Sequence, residues 1–303
     1  MGTRIEWADE VWNPATGCTK VSPGCDHCYA ETFAERFRGV PDHHFERGFD
    51  VVLRPERLAI PTRWRRPRRI FVNSMTDLFH ASVPDEFIAD VFGVMSSCAT
   101  HTFQVLTKRH ARMHALLNDR DFQQEISERA RAWFHRPPSR GQNWPGTWPL
   151  PNVWLGVSAE NQHWADIRIP ALLDTTAAVR FLSCEPLLGR VDLSPWLGSD
   201  DDVSSWYRAR PDWVIAGGES GHAARPMHPD WARSLRDQCT STGVPFLLKQ
   251  WGEWAPPWTT DLPRQAAVHH FDDGQLMIRA GKRRAGRDLD GQAWDQSPEA
   301  VSA

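Results

Sequence analysis

Three thiols lie close together near the start of the chain: Cys18, Cys25 and Cys28, spaced Cys-x6-Cys-x2-Cys within GCTKVSPGCDHCYA. Soft thiolates gathered on a Gly- and Pro-containing loop can wrap one metal centre, and their number bears on which. A 4Fe-4S cluster normally takes four thiolates, so three leave one iron open to an outside ligand. Structural zinc is the competing reading, with His27, His43 or His44 as the fourth ligand beside three cysteines. Zinc ribbons and fingers are small units, however, and this motif opens a long array of alternating elements. Inert burial is the default for the isolated Cys98 and Cys239. Six cysteines in 303 residues, half of them in one short loop, make a poor disulfide scaffold and a good metal site in a reducing compartment.

The elements that must position these thiols read as repeated βα units. Short β-rich runs appear at Arg69–Asn73, Thr102–Leu106, Asn152–Ser158, Val179–Pro186, Trp213–Glu219 and Val244–Gln250, with a further strand expected ahead of Cys18. Helical spacing follows several of them, as in Phe87, Ile88, Val91, Phe92 and Met95 after Pro84. The count predicts an α/β fold, a partial, open parallel βα barrel of about six or seven units, fewer than the eight of a complete one. Residues 1–253 form this barrel, with an insertion at about 120–150 that holds Pro137, Pro138 and a Trp/Pro/Gly-rich stretch. Residues 254–303 form a C-terminal extension with a hairpin around Asp272-Asp273-Gly274. Chemistry in such folds collects at the C-terminal ends of the strands. The polar strand ends are therefore the candidate site.

The run WNPATGCTKVSPGCDHCYAE, with LTKR, LSCEPLLG, AGGESG and LLKQWGEW downstream, resembles the radical S-adenosylmethionine superfamily and, more closely, a phage-associated three-cysteine-motif family. The closer resemblance covers nearly the whole chain. It implies a 4Fe-4S cluster on Cys18, Cys25 and Cys28, S-adenosylmethionine as cofactor, a flavodoxin- or ferredoxin-type electron donor, and a 5'-deoxyadenosyl radical as the reactive species. The superfamily's commonest spacing is Cys-x3-Cys-x2-Cys, from which the six-residue gap departs. By position, His27 and Tyr29 fall near the adenine. The usual Gly-Gly-Glu on the second strand is replaced by a run in which Ser74 and Asp77 can accept from the methionine ammonium. A more distant resemblance to the spore photoproduct lyase branch places Lys108 and Ser158 on the cofactor carboxylate, with Glu160 and Asn161 towards the ribose. That branch uses a cysteine at its second strand end as hydrogen donor, where this chain has Asn73; Cys184 is the substitute candidate. Glu185, Glu219, Arg225 and Lys249 are assigned to the substrate face.

The net charge of −3 hides a basic run, Arg54 to Arg69, that contains one acid, Glu56. Such a run can track a phosphate backbone, with Trp64 stacking on a base, or can be a solvated face whose Arg stems cover apolar surface. A nucleic-acid base or nucleotide is the expected substrate. The alternatives are a small metabolite and a non-catalytic, zinc-stabilised nucleic-acid-binding protein. The N-terminus has no apolar segment of a secretory signal, and no run of about eighteen apolar residues appears, so a cytoplasmic protein with no membrane partner is expected.

Overall fold

The computed structural model describes residues 5–133, 147–198, 209–259, 261–263 and 265–298. The chain opens with β1 (Glu10–Trp12) and β2 (Ala15–Thr16), then the cysteine loop and α1 (Tyr29–Glu35). A short β3 (Val52–Leu53) returns antiparallel to β2. From there strands and helices alternate: β4 (Arg69–Val72), α2 (Asp85–Ser97), β5 (Thr102–Thr107), α3 (His110–Asn118), α4 (Arg120–Trp133), β6 (Val153–Ser158), α5 (Gln162–Leu173) and β7 (Val179–Cys184). After a one-turn α6 (Ser194–Leu197) come β8 (Trp213–Gly217), α7 (Pro229–Ser241) and β9 (Phe246–Gln250). Strands β1, β4, β5, β6, β7, β8 and β9 form one sheet in that order, every neighbouring pair parallel. This is the expected open barrel, with seven strands.

Its strands are apolar on both faces, as strands covered on both sides must be, and the two faces bury different layers. Ile70, Val72, Phe103, Val105, Val157, Leu182 and Leu248 join the helices in an outer core. Trp7, Phe71, Trp154, Phe181, Trp213, Ile215 and Leu247 fill the concave side. The curl can be read from Trp7, whose ring lies 4.6 Å from Phe71 on β4 and 6.0 Å from Trp213 on β8. In a flat sheet those strands would lie about 19 Å apart. Gly156 leaves room in this layer for Phe181, whose ring a Cβ there would meet at 2.5 Å.

Part of the segment read as an insertion is structural. α4 packs along α2 and buries Phe122, Ile126 and Ala130, so its apolar stripe is a core face. Residues 134–146, with Pro137 and Pro138, lie outside the described residues. At the other end, β10 (Trp254–Ala255), β11 (Val268–His270) and β12 (Leu276–Arg279) form a small antiparallel sheet. Its β11–β12 hairpin turns at Asp272 to Gly274, as expected. α8 (Lys282–Ala285) and the pair β13 (Asp288–Leu289) and β14 (Gln292–Ala293) follow. The extension then runs along the free edge of β9: Leu248 N donates to Trp294 O at 3.0 Å, and Gln296 N to Phe246 O at 3.2 Å. An edge that would otherwise template aggregation is covered. Among the described residues no helix is long and apolar enough to cross a membrane.

The packing at Gly156 gives a stability prediction. Gly156→Ala should cost about 1–3 kcal/mol through overpacking against Phe181, seen as a lower urea midpoint with an unchanged denaturant slope.

Candidate functional site

The cysteine loop spans the C-terminal ends of the parallel strands, and four different strand ends hold it there. Its start is fixed by backbone. Gly17 has φ of +87° and a Cβ there would collide with the Asp50 carbonyl, so only glycine fits. Gly17 N donates to Met75 O at 2.8 Å beyond β4, and Thr76 Oγ1 returns a bond to Gly17 O. Cys18 N donates to Phe49 O at 3.1 Å.

The second anchor follows β5. Arg109 Nη1 donates to Cys18 Sγ at 3.3 Å, and its Nη2 lies 2.9 Å from both Thr19 O and Thr19 Oγ1. Asp77 holds this guanidinium at 3.1 Å and also accepts from Thr107 Oγ1 at 2.7 Å and Lys108 N at 2.9 Å.

The third anchor lies beneath the loop. Glu160, just past β6, is fully buried and pairs with the fully buried Arg168 at 2.6 Å. Ser22 Oγ donates to the same carboxylate, and Lys108 Nζ lies 3.9 Å from it. Gly24 rides directly above: a Cβ there would sit 2.6 Å from the Glu160 side chain. Burial works to raise the Glu160 pKa, but Lys108, Arg168 and the Ser22 hydroxyl outweigh it and hold the carboxyl below its ordinary value.

The fourth anchor follows β8. Arg225 donates to Glu219 at 2.6 and 2.9 Å, to Pro23 O at 2.8 Å and to Asp26 at 3.2 Å, while His27 Nδ1 lies 3.1 Å from Glu219. Burial again works to raise the Glu219 carboxyl, and the bonds from Arg225 and His27 hold it low. Beyond the loop, Cys28 caps α1, and Tyr29 donates to Ser74 O at 2.7 Å. Burial pushes the Cys18 and Cys28 thiols up; Arg109 opposes this at Cys18, and the Ala30 and Glu31 amides oppose it at Cys28.

Several expected site residues therefore serve the loop. Asp77 is saturated by β5 donors and Arg109. Glu160 is sealed under Ser22 and Gly24, and Asn161 caps α5 by accepting from Trp164 N at 3.2 Å. Glu219 and Arg225, assigned to a substrate face, clamp Pro23, Asp26 and His27. Cys184 must be withdrawn as a hydrogen donor: it is fully buried in the outer core, on the strand face turned to the helices, and burial pushes its thiol far up. By strand alternation Lys108, Ser158 and Lys249 point to the concave side, one rung above the aromatic layer. Lys249 pairs with Glu185 at 2.7 Å. Ser74 shares hydrogen bonds with Asn13. Arg109 and Arg168 were missed as site residues, although the former stands next to Lys108 in LTKR.

Three thiolates on one loop are the donor set that a 4Fe-4S cluster with one open iron would take or, joined by one histidine, a tetrahedral zinc. Of the proposed zinc partners, His43 Nδ1 accepts from Phe45 N at 3.1 Å, and burial and the nearby Arg57 and Arg54 pull His44 down to about 4. Cys98, Cys184 and Cys239 are all buried in the outer core, so none joins the loop as a fourth thiolate.

The basic run does not form one patch. Arg54 donates to His44 O and lies 3.4 Å from Thr16 Oγ1, Arg68 pairs with Glu10, and Trp64 carries the Arg68 guanidinium 5.5 Å over its ring. Arg63, Arg65 and Arg66 are exposed but precede β4, at the end of the sheet away from the cysteine loop.

Residues 2–298 match the family described as "Protein of unknown function (DUF5131)", and the chain belongs to that family. No curated protein matches it. Among solved structures, a mutant spore photoproduct lyase with bound AdoMet and dinucleoside spore photoproduct is similar at 9% identity, over 90% of this chain and 68% of that one, with a TM-score of 0.40. Spore photoproduct lyase complexed with dinucleoside spore photoproduct is similar at 10% identity, over 89% and 68%, with a TM-score of 0.39.

Glu160→Ala strands the Arg168 charge in the interior and should cost about 3–5 kcal/mol, whereas breaking the more exposed Arg233–Asp290 pair should cost under about 1 kcal/mol. Thermal unfolding of both variants measures the contrast. Glu160 and Glu219 are both held low, so their stabilisation is complete above the ordinary glutamate value of about 4.3 and is lost as pH falls through their depressed values. Hydrogen-exchange protection factors of residues 17–28 should fall in that acid window and stay flat from there to neutrality.

Proposed function

We propose that this member of the DUF5131 family is a radical S-adenosylmethionine enzyme, with a 4Fe-4S cluster on Cys18, Cys25 and Cys28 and a nucleobase or nucleotide as substrate. The observation that carries the reading is the isolation of three thiols on one anchored loop while the other three cysteines are sealed in the outer core. Three protein thiolates leave one iron for an outside ligand. When bound, the reduced cluster and S-adenosylmethionine supply a 5'-deoxyadenosyl radical that takes a hydrogen atom from the substrate.

The chain's own residues bind, orient and exclude water. Lys108 and Ser158 lie on the concave face beside the loop, suited to a carboxylate as cation and hydroxyl donor. His27 and the exposed Tyr29 ring at the loop's far end suit the adenine. Ser74 offers a hydroxyl to the cofactor's ammonium. The Trp154, Phe181 and Trp213 layer forms a dry floor that keeps solvent from a reactive radical. The Glu185–Lys249 pair sets an acceptor beside a donor at the mouth, which matches the paired polar groups along a base edge. An electron donor of flavodoxin or ferredoxin type completes the requirement. The exposed Arg63, Arg65 and Arg66 lie away from the loop, so the basic run does not by itself favour a tracked polymer over a free nucleotide or an isolated base.

Protein purified without oxygen should be brown, carry about four irons per chain, and release 5'-deoxyadenosine when reduced with S-adenosylmethionine. Replacing any one of Cys18, Cys25 or Cys28 by Ala should abolish both. Stoichiometric zinc without 5'-deoxyadenosine would sink the enzyme reading and leave the zinc-stabilised binding protein. DNA and RNA mobility shifts across salt test the polymer version: tight retention that weakens steeply with salt would reinstate it.

A further inference from the structure

We propose that Arg109 sets the reduction potential of the cluster through its hydrogen bond to Cys18, with Asp77 as an opposing charge; the proposal rests on the cluster reading above. Arg109 is held by a four-point grip. Nη1 is shared between Cys18 Sγ at 3.3 Å and Asp77 Oδ2 at 3.1 Å, and Nη2 spans Thr19 O and Oγ1, each at 2.9 Å. The side chains of Arg109 and Asp77 are 13% and 8% exposed, so solvent and salt screen them little.

Asp77 is itself fixed by Thr107 Oγ1, Lys108 N and Phe79 N. The pair therefore cannot swing away from the sulfur without breaking bonds to β5. The other two thiols have different company. Cys28 faces the neutral amides of Ala30 and Glu31, and the Ser22 hydroxyl lies 3.9 Å from Cys25. A guanidinium donating directly to a ligand sulfur thus distinguishes the Cys18 corner.

The redox step adds one electron to the oxidised cluster from a one-electron donor of flavodoxin or ferredoxin type; no bond forms or breaks. The added negative charge spreads onto the sulfurs, and hydrogen bonds to sulfur and local net charge are the levers that tune such centres. Arg109 stabilises the reduced state, and Asp77 offsets part of that effect. Their removal must shift the potential in opposite directions. A merely structural role predicts the same disturbance from either change.

The experiment is an EPR-monitored redox titration of anaerobically reconstituted full-length protein with dithionite, comparing the unaltered chain with Arg109→Met, Arg109→Lys and Asp77→Asn. At the potential where the unaltered protein is half reduced, Arg109→Met should show a reduced-to-oxidised ratio about tenfold lower, a shift of about 59 mV for one electron. Asp77→Asn should raise the ratio, and Arg109→Lys should fall between Arg109→Met and the unaltered chain. Iron content is read in the same samples: no iron in the unaltered protein refutes the cluster itself. Iron present with an unmoved potential in Arg109→Met, or with both charge-removing variants moving the same way, overturns the role of Arg109 alone. If Arg109→Met does not load iron, the unaltered holoprotein grown with guanidino-15N arginine decides. Pulsed EPR should detect a 15N coupling to the reduced cluster, and its absence overturns the proposal.

Discussion

A carboxylate with no contact with solvent has to be protonated or matched by positive charge, since the desolvation of an unpaired ion exceeds anything packing returns. Glu160 is matched. Arg168 meets it at 2.6 Å, Lys108 adds a more distant charge and Ser22 a hydroxyl. Arg168 in turn donates to Ser158 O at 3.0 Å and lies 4.1 Å over the Trp164 ring. The pair ties β6 to α5 from below and receives the cysteine loop from above, and the loop can approach so closely because residue 24 has no side chain. The geometry of Cys25 follows from these contacts, because it closes the Pro23–Cys25 turn that stands on this support.

Above and below this support the sheet sorts its residues by height. The concave face is aromatic through the Trp154, Phe181 and Trp213 layer and turns polar one rung nearer the mouth, where Ser158 pairs across to Ser183. Strand alternation makes this sorting sharp. Cys184 and Ser183 are adjacent in sequence, yet one faces α7 and the other the mouth. Chemistry that needs a dry chamber with a polar rim obtains both from the same strands.

The strands were legible in the sequence because each is a continuous apolar run bounded by turn residues, and the cysteines were legible because their spacing has few other uses. The two faces of those strands were not. When both faces are apolar, a period of two leaves no trace, and this is why Cys184 read as a candidate at the mouth. In α4 the charged residues dominate the composition, and the stripe of Phe122, Ile126 and Ala130 shows only once α2 is there to receive it. The roles of Glu219 and Arg225 depend on partners at Pro23, Asp26 and His27, about two hundred positions away. No local pattern encodes such a pairing. Arg109 stood beside a selected lysine, but only the fold shows that its guanidinium reaches back to Cys18.

The distribution of the anchors has a further consequence. The loop is held by backbone beyond β4, by Arg109 beyond β5, by Glu160 beyond β6 and by Arg225 beyond β8, so no strand end fixes it alone. Because β8 is brought round to the loop by the curl of the sheet, the Arg225 clamp can form only when the aromatic layer between Trp7, Phe71 and Trp213 has closed. The full set of anchors is thus present only in the closed half-barrel, and a centre held on the three thiols would be surrounded by the walls that keep water from it.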